Sequence, residues 1–389
     1  MDSRFEASCC AIKLIETGPH NQVAETPPAL VKGPDLPVVF ASLPWETSTV
    51  LCHNTAFDGA ILAWKYGYKA QFYLDTMSMA QAVYSHKGMK VGLGDLANLV
   101  GMNKDYGALG NMAGVRYADI EWGSPVGKRF VEYAKDDVET CWRLFGHMMK
   151  EGFPERELCV IDTVMRMFIE PRVELDGELL REHLAATLKD ASEKCAAAGF
   201  SASRLRSRTG FADILEEMGY KPPVKVSDAT GEDTFAFSKQ DPAFLRLLNH
   251  PTDERLRKVC EARLAVSSSI ERTRTERFLA VHDCSPDHLL PVPLKYSGAH
   301  THRFSGRDAI NLQNLGRTSP LRKAIRALED ELLVVVDASQ IEARLLAWLA
   351  GEFALCAQFG RGEDVYSTFA GKIYNRLVNK KDHPVERRV

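Results

Sequence analysis

Leu332-Leu333-Val334-Val335-Val336-Asp337-Ala338-Ser339-Gln340-Ile341-Glu342-Ala343-Arg344 is the stretch on which the fold turns. Five apolar residues in a row predict a buried strand that ends at Asp337. The pattern from Gln340 to Ala350 then predicts a helix, with Gly351 as its C-terminal cap. Ser339 and Glu342 have the spacing of a capping box, which gives Glu342 a purely structural reading. Leu345, Leu346 and Leu349 are expected in a core. A carboxylate at a strand end, here Asp337, is placed to bind a divalent cation.

The residues just upstream are basic. Between 295 and 326 lie Lys295, Arg303, Arg307, Arg317, Arg322, Lys323 and Arg326 against one acid, Asp308, for a local charge of +6. The whole chain of 389 residues carries only -3, so this stripe stands out and suits a phosphate backbone. A solvated loop is the plain alternative. Hydrophobic residues make up 45% of the chain, enough for two or three domains with their own cores. Nine scattered cysteines include no C-x-x-C pair, which indicates reduced thiols in a cytoplasm-like compartment. No apolar run approaches the ~18 residues needed to span a bilayer.

Residues 1 to 152 mix short apolar runs with amphipathic stretches. Val38 to Leu43, Thr49 to Cys52 and Phe72 to Leu74 read as strands; Ala56 to Tyr66, Leu93 to Val100 and Val126 to Met149 read as helices. Such alternation predicts an α/β domain. Residues 153 to 290 are helical by period, with clear cases at Glu157 to Ile169, Gly177 to Ala198 and Thr252 to Ala280. Residues 291 to 389 form a third region of different character.

Two pieces of the first region carry carboxylates. His53-Asn54-Thr55-Ala56-Phe57-Asp58 runs from a strand into a helix, so Asp58 sits where open α/β sheets place ligands. It also has a bland reading, as a charge that complements the helix dipole. Tyr133 and Asp137 are four apart and share a helix face, where a phenol and a carboxylate can hold a metal and orient a water. An exposed acidic helix with a core tyrosine is the alternative there.

Together, His-Asn-x-x-Phe-Asp and Tyr-x-x-x-Asp about 75 residues on resemble the second and third motifs of the DEDD 3′-5′ exonucleases. The resemblance implies a ribonuclease-H-like fold and a mechanism with two metal ions about 4 Å apart. The family's first motif, Asp-x-Glu, does not precede Asp58, and Glu6 has Arg4 where the Asp belongs. Arg4 to Val23 resembles the second strand of such a domain. The chain is therefore expected to start just after the first motif and to have little or no exonuclease activity alone.

The string from Asp337 resembles motif A of family A DNA polymerases, with Asp-Ala-Ser most similar to phage members. Thr301-His302-Arg303-Phe304-Ser305-Gly306 and Asn311-Leu312-Gln313-Asn314-Leu315 look like that family's primer-template motifs, and Asp364-Val365-Tyr366-Ser367 also matches. The resemblance implies a multidomain α/β and α+β chain: exonuclease-like domain, helical thumb-like domain, then the start of a polymerase palm. It implies Mg2+ at Asp337, with Asp58 and Asp137 as metal ligands in the exonuclease-like part. Gln340, Glu342 and Arg387 are implied nucleotide contacts, and Arg303, Arg307, Gln313, Asn314 and Asn54 implied DNA contacts. The implied partners are a DNA primer-template and a dNTP.

Two departures qualify these expectations. His302 stands where the family usually has Gly, so the backbone there is less free. The chain also stops two residues past Arg387, before the second catalytic Asp, and one carboxylate does not hold two metals. The chain is expected not to polymerise unaided and to need a complementing C-terminal polymerase chain. Two other classes compete: a non-catalytic DNA-binding protein gripping duplex through Arg255, Arg257, Lys258, Arg263, Arg272, Arg274 and Arg277, and a stand-alone 3′-5′ exonuclease.

Overall fold

The structure, a computed structural model, describes residues 5–18, 22–103, 112, 114–227, 230–267 and 269–388; the side chains of 269 and 388 lie outside the description. The chain forms two compact units, Met1–Glu331 and Leu332–Val389.

The first unit opens with a bent antiparallel hairpin. β1 (Cys9–Ile12) and β2 (Ile15–Thr17) run out, and β3 (Val23–Glu25) and β4 (Ala29–Lys32) return, with Cys9 opposite Lys32 and Ile15 opposite Glu25. A βαβ element follows: β5 (Thr49–Cys52), α2 (Thr55–Tyr66) and β6 (Phe72–Asp75), the two strands parallel with Cys52 opposite Asp75. Parallel strands need such a crossover because a tight turn cannot reverse direction twice. Among the described residues the hairpin and the parallel pair are not hydrogen-bonded into one sheet. α3 (Thr76–Tyr84), α4 (Leu93–Leu96), α5 (Pro125–Lys150) and α6 (Glu155–Ile169) complete this layer. Its core gathers Tyr73, Met79, Leu96, Leu144, Met148, Ile161 and Ile169.

Val38 to Leu43 is not a strand: α1 covers Leu36–Ala41, and Ser42 and Leu43 form the turn after it. Pro37 in the first turn presets a helical φ. Leu36 and Phe40, four apart, bury one stripe, while Val38 is 74% exposed. A six-residue apolar run does not reveal which period it obeys until its neighbours are known.

The helical region is built on α7 (Gly177–Ala198), which Asp176 caps by accepting the Leu179 N–H at 3.0 Å. A Cβ at Gly177 would lie 2.4 Å from His282 Nε2, so only glycine lets the two helices approach there. The expected helix from Thr252 to Ala280 is two helices, α11 (Glu254–Ser267) and α12 (Ser269–Cys284). Between α7 and α11 come α8 (Ala202–Arg206), α9 (Arg208–Glu217), the antiparallel pair β8 (Val224–Val226) and β9 (Asp233–Phe235), and α10 (Pro242–Leu248), with a core of Leu205, Phe211, Ile214, Phe244 and Val259. A third core, with Leu175, Leu180, Phe278 and Leu321, ties β7 (Val173–Leu175), α13 (Pro320–Lys323) and the basic stretch to these helices.

In the second unit, Leu332 to Val336 is not a strand. Among the described residues it joins no ladder, and it is open to solvent, from Leu332 at 89% to Val336 at 87% exposed. A strand is stable only with a partner for its N–H and C=O groups, and none of the described strands supplies one. α14 (Ile341–Leu349), α15 (Phe353–Gly360) and α16 (Val365–Tyr374) follow. Leu345, Leu346 and Leu349, expected in a core, are exposed. Gly351 takes the left-handed φ of +68° that a helix C-terminus demands. Gln340, not Ser339, is the N-cap and makes no side-chain cap bond, and the Ser339 carbonyl accepts from Arg344 Nε at 2.9 Å.

Candidate functional site

The first candidate site lies where β5 and β6 end. Asn54 turns the chain with φ +75°, a conformation asparagine tolerates better than most residues. Its N–H and that of Thr55 donate to Asp75 Oδ1 at 2.7 and 3.1 Å. The other oxygen of Asp75 accepts the Ser78 N–H at 3.1 Å and so caps α3. Asp75 is fully buried and fixes both helix starts at once. The expectations passed over it, although Asp-Thr-x-Ser at the end of an apolar run is an N-cap signal. His53 reaches Thr76 Oγ1 and the Val91 carbonyl, at 3.0 and 2.9 Å. The Asn54 side-chain oxygen is buried without a hydrogen-bond partner among the described residues.

Asp58 stands one turn into α2. Burial pushes its carboxyl up to about 6, and the charge of Asp75 adds to the effect. A carboxylate that merely complemented a helix N-terminus would be shifted the other way. Asp58, Asp75 and Asp137 all help raise the Cys141 thiol, which burial pushes up to about 12. Asp58 acts likewise on Cys10 of β1, so hairpin, parallel pair and α5 converge on this spot. Tyr133 is buried on α5, one turn before Asp137.

Beside this cluster lies a cation that the sequence did not announce. Lys13, at the bend between β1 and β2, is 7% exposed and pairs with Glu139 at 2.7 Å and Glu25 at 2.8 Å. Glu139 also takes Arg143, and Glu25 takes the Trp142 indole N–H. The network clamps the hairpin to α5 two residues past Asp137. Among the described residues, no group of three or more His, Cys, Asp or Glu is placed to hold a metal ion. The expected Mg2+ ligands do not form a complete donor set by themselves.

The basic stretch is the second candidate. β10 (Leu294–Lys295) pairs with β11 (Ser305–Gly306), and the loop between them carries His302 and the exposed Arg303. His302 adopts φ +57°, the conformation for which the usual Gly is suited. Its Nδ1 and the Ser297 hydroxyl are 2.7 Å apart. Arg307 pairs with Asp308 at 2.8 Å and lies over Phe168. Leu312–Asn314 forms a 3-10 turn that presents Gln313 and Asn314 to solvent. Arg277 donates to the Ala309 carbonyl at 2.6 Å and Arg274 to that of Asn314 at 3.4 Å. These two arginines hold the turn in place. Arg263, offered by sequence as a DNA contact, is instead 6% exposed and donates to the carbonyls of Leu205, Arg206 and Ser207.

In the second unit Asp337 and Glu342 are exposed, and Gln340 is half-buried with φ +56°. Arg387 makes a two-pronged pair with Asp364, Nε to Oδ2 at 2.8 Å and Nη2 to Oδ1 at 3.0 Å. Asp364 was noticed in sequence only as part of a motif.

The model of DNA polymerase family A matches residues 177–389, more than half of the chain. The thermostable DNA polymerase I of Thermus thermophilus is 41% identical over 78 residues, 19% of this chain and 9% of the relative; that of Thermus aquaticus gives the same figures. The aligned stretch is thus a small part of these relatives. The POL domain of Pol1 from M. smegmatis, solved in complex with DNA primer-template and dNTP, is similar in fold with a TM-score of 0.61 at 18% identity, over 98% of this chain and 66% of that one. The family match lies over the helical region, the basic stretch and the Asp337 helix, so the chain belongs to DNA polymerase family A.

Proposed function

We propose that this chain is the exonuclease-like, thumb-like and first palm portion of a DNA-directed DNA polymerase, serving template-directed deoxynucleotidyl transfer in DNA replication. The observation that carries the reading is the outward display of Gln313 and Asn314 on a turn pinned by Arg274 and Arg277 within the basic stretch. Short polar side chains held against a rigid backbone suit groove contacts to duplex, while exposed Arg303, Arg317, Arg322 and Lys323 suit phosphates. Asp337 then contributes one carboxylate to a divalent-metal site. Gln340 and Glu342 border the incoming sugar, and Arg387 contacts its triphosphate.

The segment around Asp58, Tyr133 and Asp137 is read as a ribonuclease-H-like, proofreading-type domain. Lys13 and its two carboxylates clamp the hairpin to α5, and among the described residues the hairpin is unpaired with β5 and β6, which favours a structural role here. The run 332–336, unpaired among the described residues, and the exposed α14 favour a complementing polypeptide that packs against them. By this reading the chain alone binds primer-template but does not extend it.

Fluorescence anisotropy of a labelled primer-template with the full chain tests this. Binding should weaken steeply with salt, and the double change Gln313→Ala, Asn314→Ala should weaken it about tenfold. Binding indifferent to both would overturn the duplex reading. Primer extension by the chain alone would overturn the need for a complement.

A further inference from the structure

The two-pronged contact at Arg387 has the form that a phosphate would take. Two acceptor oxygens lie along the guanidinium fork at 2.8 and 3.0 Å. They sit at the N-terminus of the ten-residue helix α16, where Asp364 also accepts the Ser367 N–H at 3.3 Å and its hydroxyl at 2.8 Å. The guanidinium lies over the Tyr366 ring, 5.3 Å from its centroid. The Arg387 pairing holds the Asp364 carboxyl down at about 2, so it is an anion at any working pH.

We propose that Asp364 is an intramolecular competitor for Arg387, its carboxylate occupying the fork that a nucleotide's phosphate must take. This rests on the reading of Arg387 as a triphosphate contact. The pair is partly exposed, and such pairs are weak and screened. A polyphosphate with several charges therefore displaces a single carboxylate. Tyr366 keeps the guanidinium plane in position once the carboxylate has left. Asp364 thus acts as a positioning residue: it stores Arg387 in a phosphate-ready pose and lowers its apparent affinity by the fraction of time the pair is closed.

Calorimetric titration of the full chain with inorganic tripolyphosphate at low ionic strength tests this. Asp364→Asn keeps an N-cap for α16, so the fold is retained, and circular dichroism checks it. The variant should bind about fivefold more tightly than the parent. Adding Arg387→Ala should abolish the gain. Unchanged or weaker binding by Asp364→Asn, with Arg387→Ala weakening the parent, overturns the competition while leaving the phosphate contact standing. Absence of binding, or binding that Arg387→Ala leaves untouched in both backgrounds, removes the phosphate contact and the proposal with it.

Discussion

Asp75 accepts the backbone N–H of Asn54 at 2.7 Å across the ends of two parallel strands, and through the same carboxylate it caps the helix that follows its own strand. One buried side chain therefore fixes the turn that carries Asn54 and Asp58. Asp75→Ala should strand the N–H groups of Asn54, Thr55 and Ser78 and destabilise the first unit by about 3–5 kcal/mol. Urea unfolding followed by circular dichroism measures it; a loss below about 1 kcal/mol would show that water replaces the carboxylate.

Asp58 makes the opposite contribution. Its folded pKa of about 6 lies above the ordinary 3.8, so the folded state binds the proton more tightly. The group costs nothing below about pH 4, where both states are protonated. Its cost then grows as pH rises through 6 and is complete above that. Asp58→Asn should therefore stabilise the chain by about 2–3 kcal/mol at pH 7.5 and hardly at all at pH 4. A gain independent of pH would show that the carboxyl is not desolvated.

His302 holds φ +57° in a position for which glycine is the natural choice. Replacement by Gly loses the Ser297 contact but relieves the backbone; replacement by Ala loses the contact and keeps the strain. His302→Gly should be more stable than His302→Ala by about 1 kcal/mol. Equal melting temperatures for the two variants would mean that the loop relaxes elsewhere.

Arg263 lies against the rings of Phe211 and Phe237, 5.3 and 5.7 Å from their centroids, with its guanidinium on three carbonyls. Arg263→Ala should cost about 3 kcal/mol by orphaning those carbonyls and opening the core. Arg255→Ala, on an exposed surface, should stay within about 0.5 kcal/mol. Thermal melts of both variants compare them, and equal losses would refute the structural role assigned to Arg263.

Sequence by itself determined the elements whose apolar pattern and terminal residues agree. The helices 125–150, 155–169 and 177–198 were legible from their period. The parallel strands were legible because a helix pattern separates two short apolar runs. The motifs at Arg303, Gln313 and Asp337 were legible as residue types in order, which led to the family. Only the tertiary structure decided what each charged group touches. Arg263 and Arg303 look alike in sequence, yet one is buried on carbonyls and the other is exposed, because burial depends on which distant segments meet. The run 332–336 reads as a strand, but a strand exists only when a partner pairs with it, and that partner is a property of the whole assembly rather than of the run.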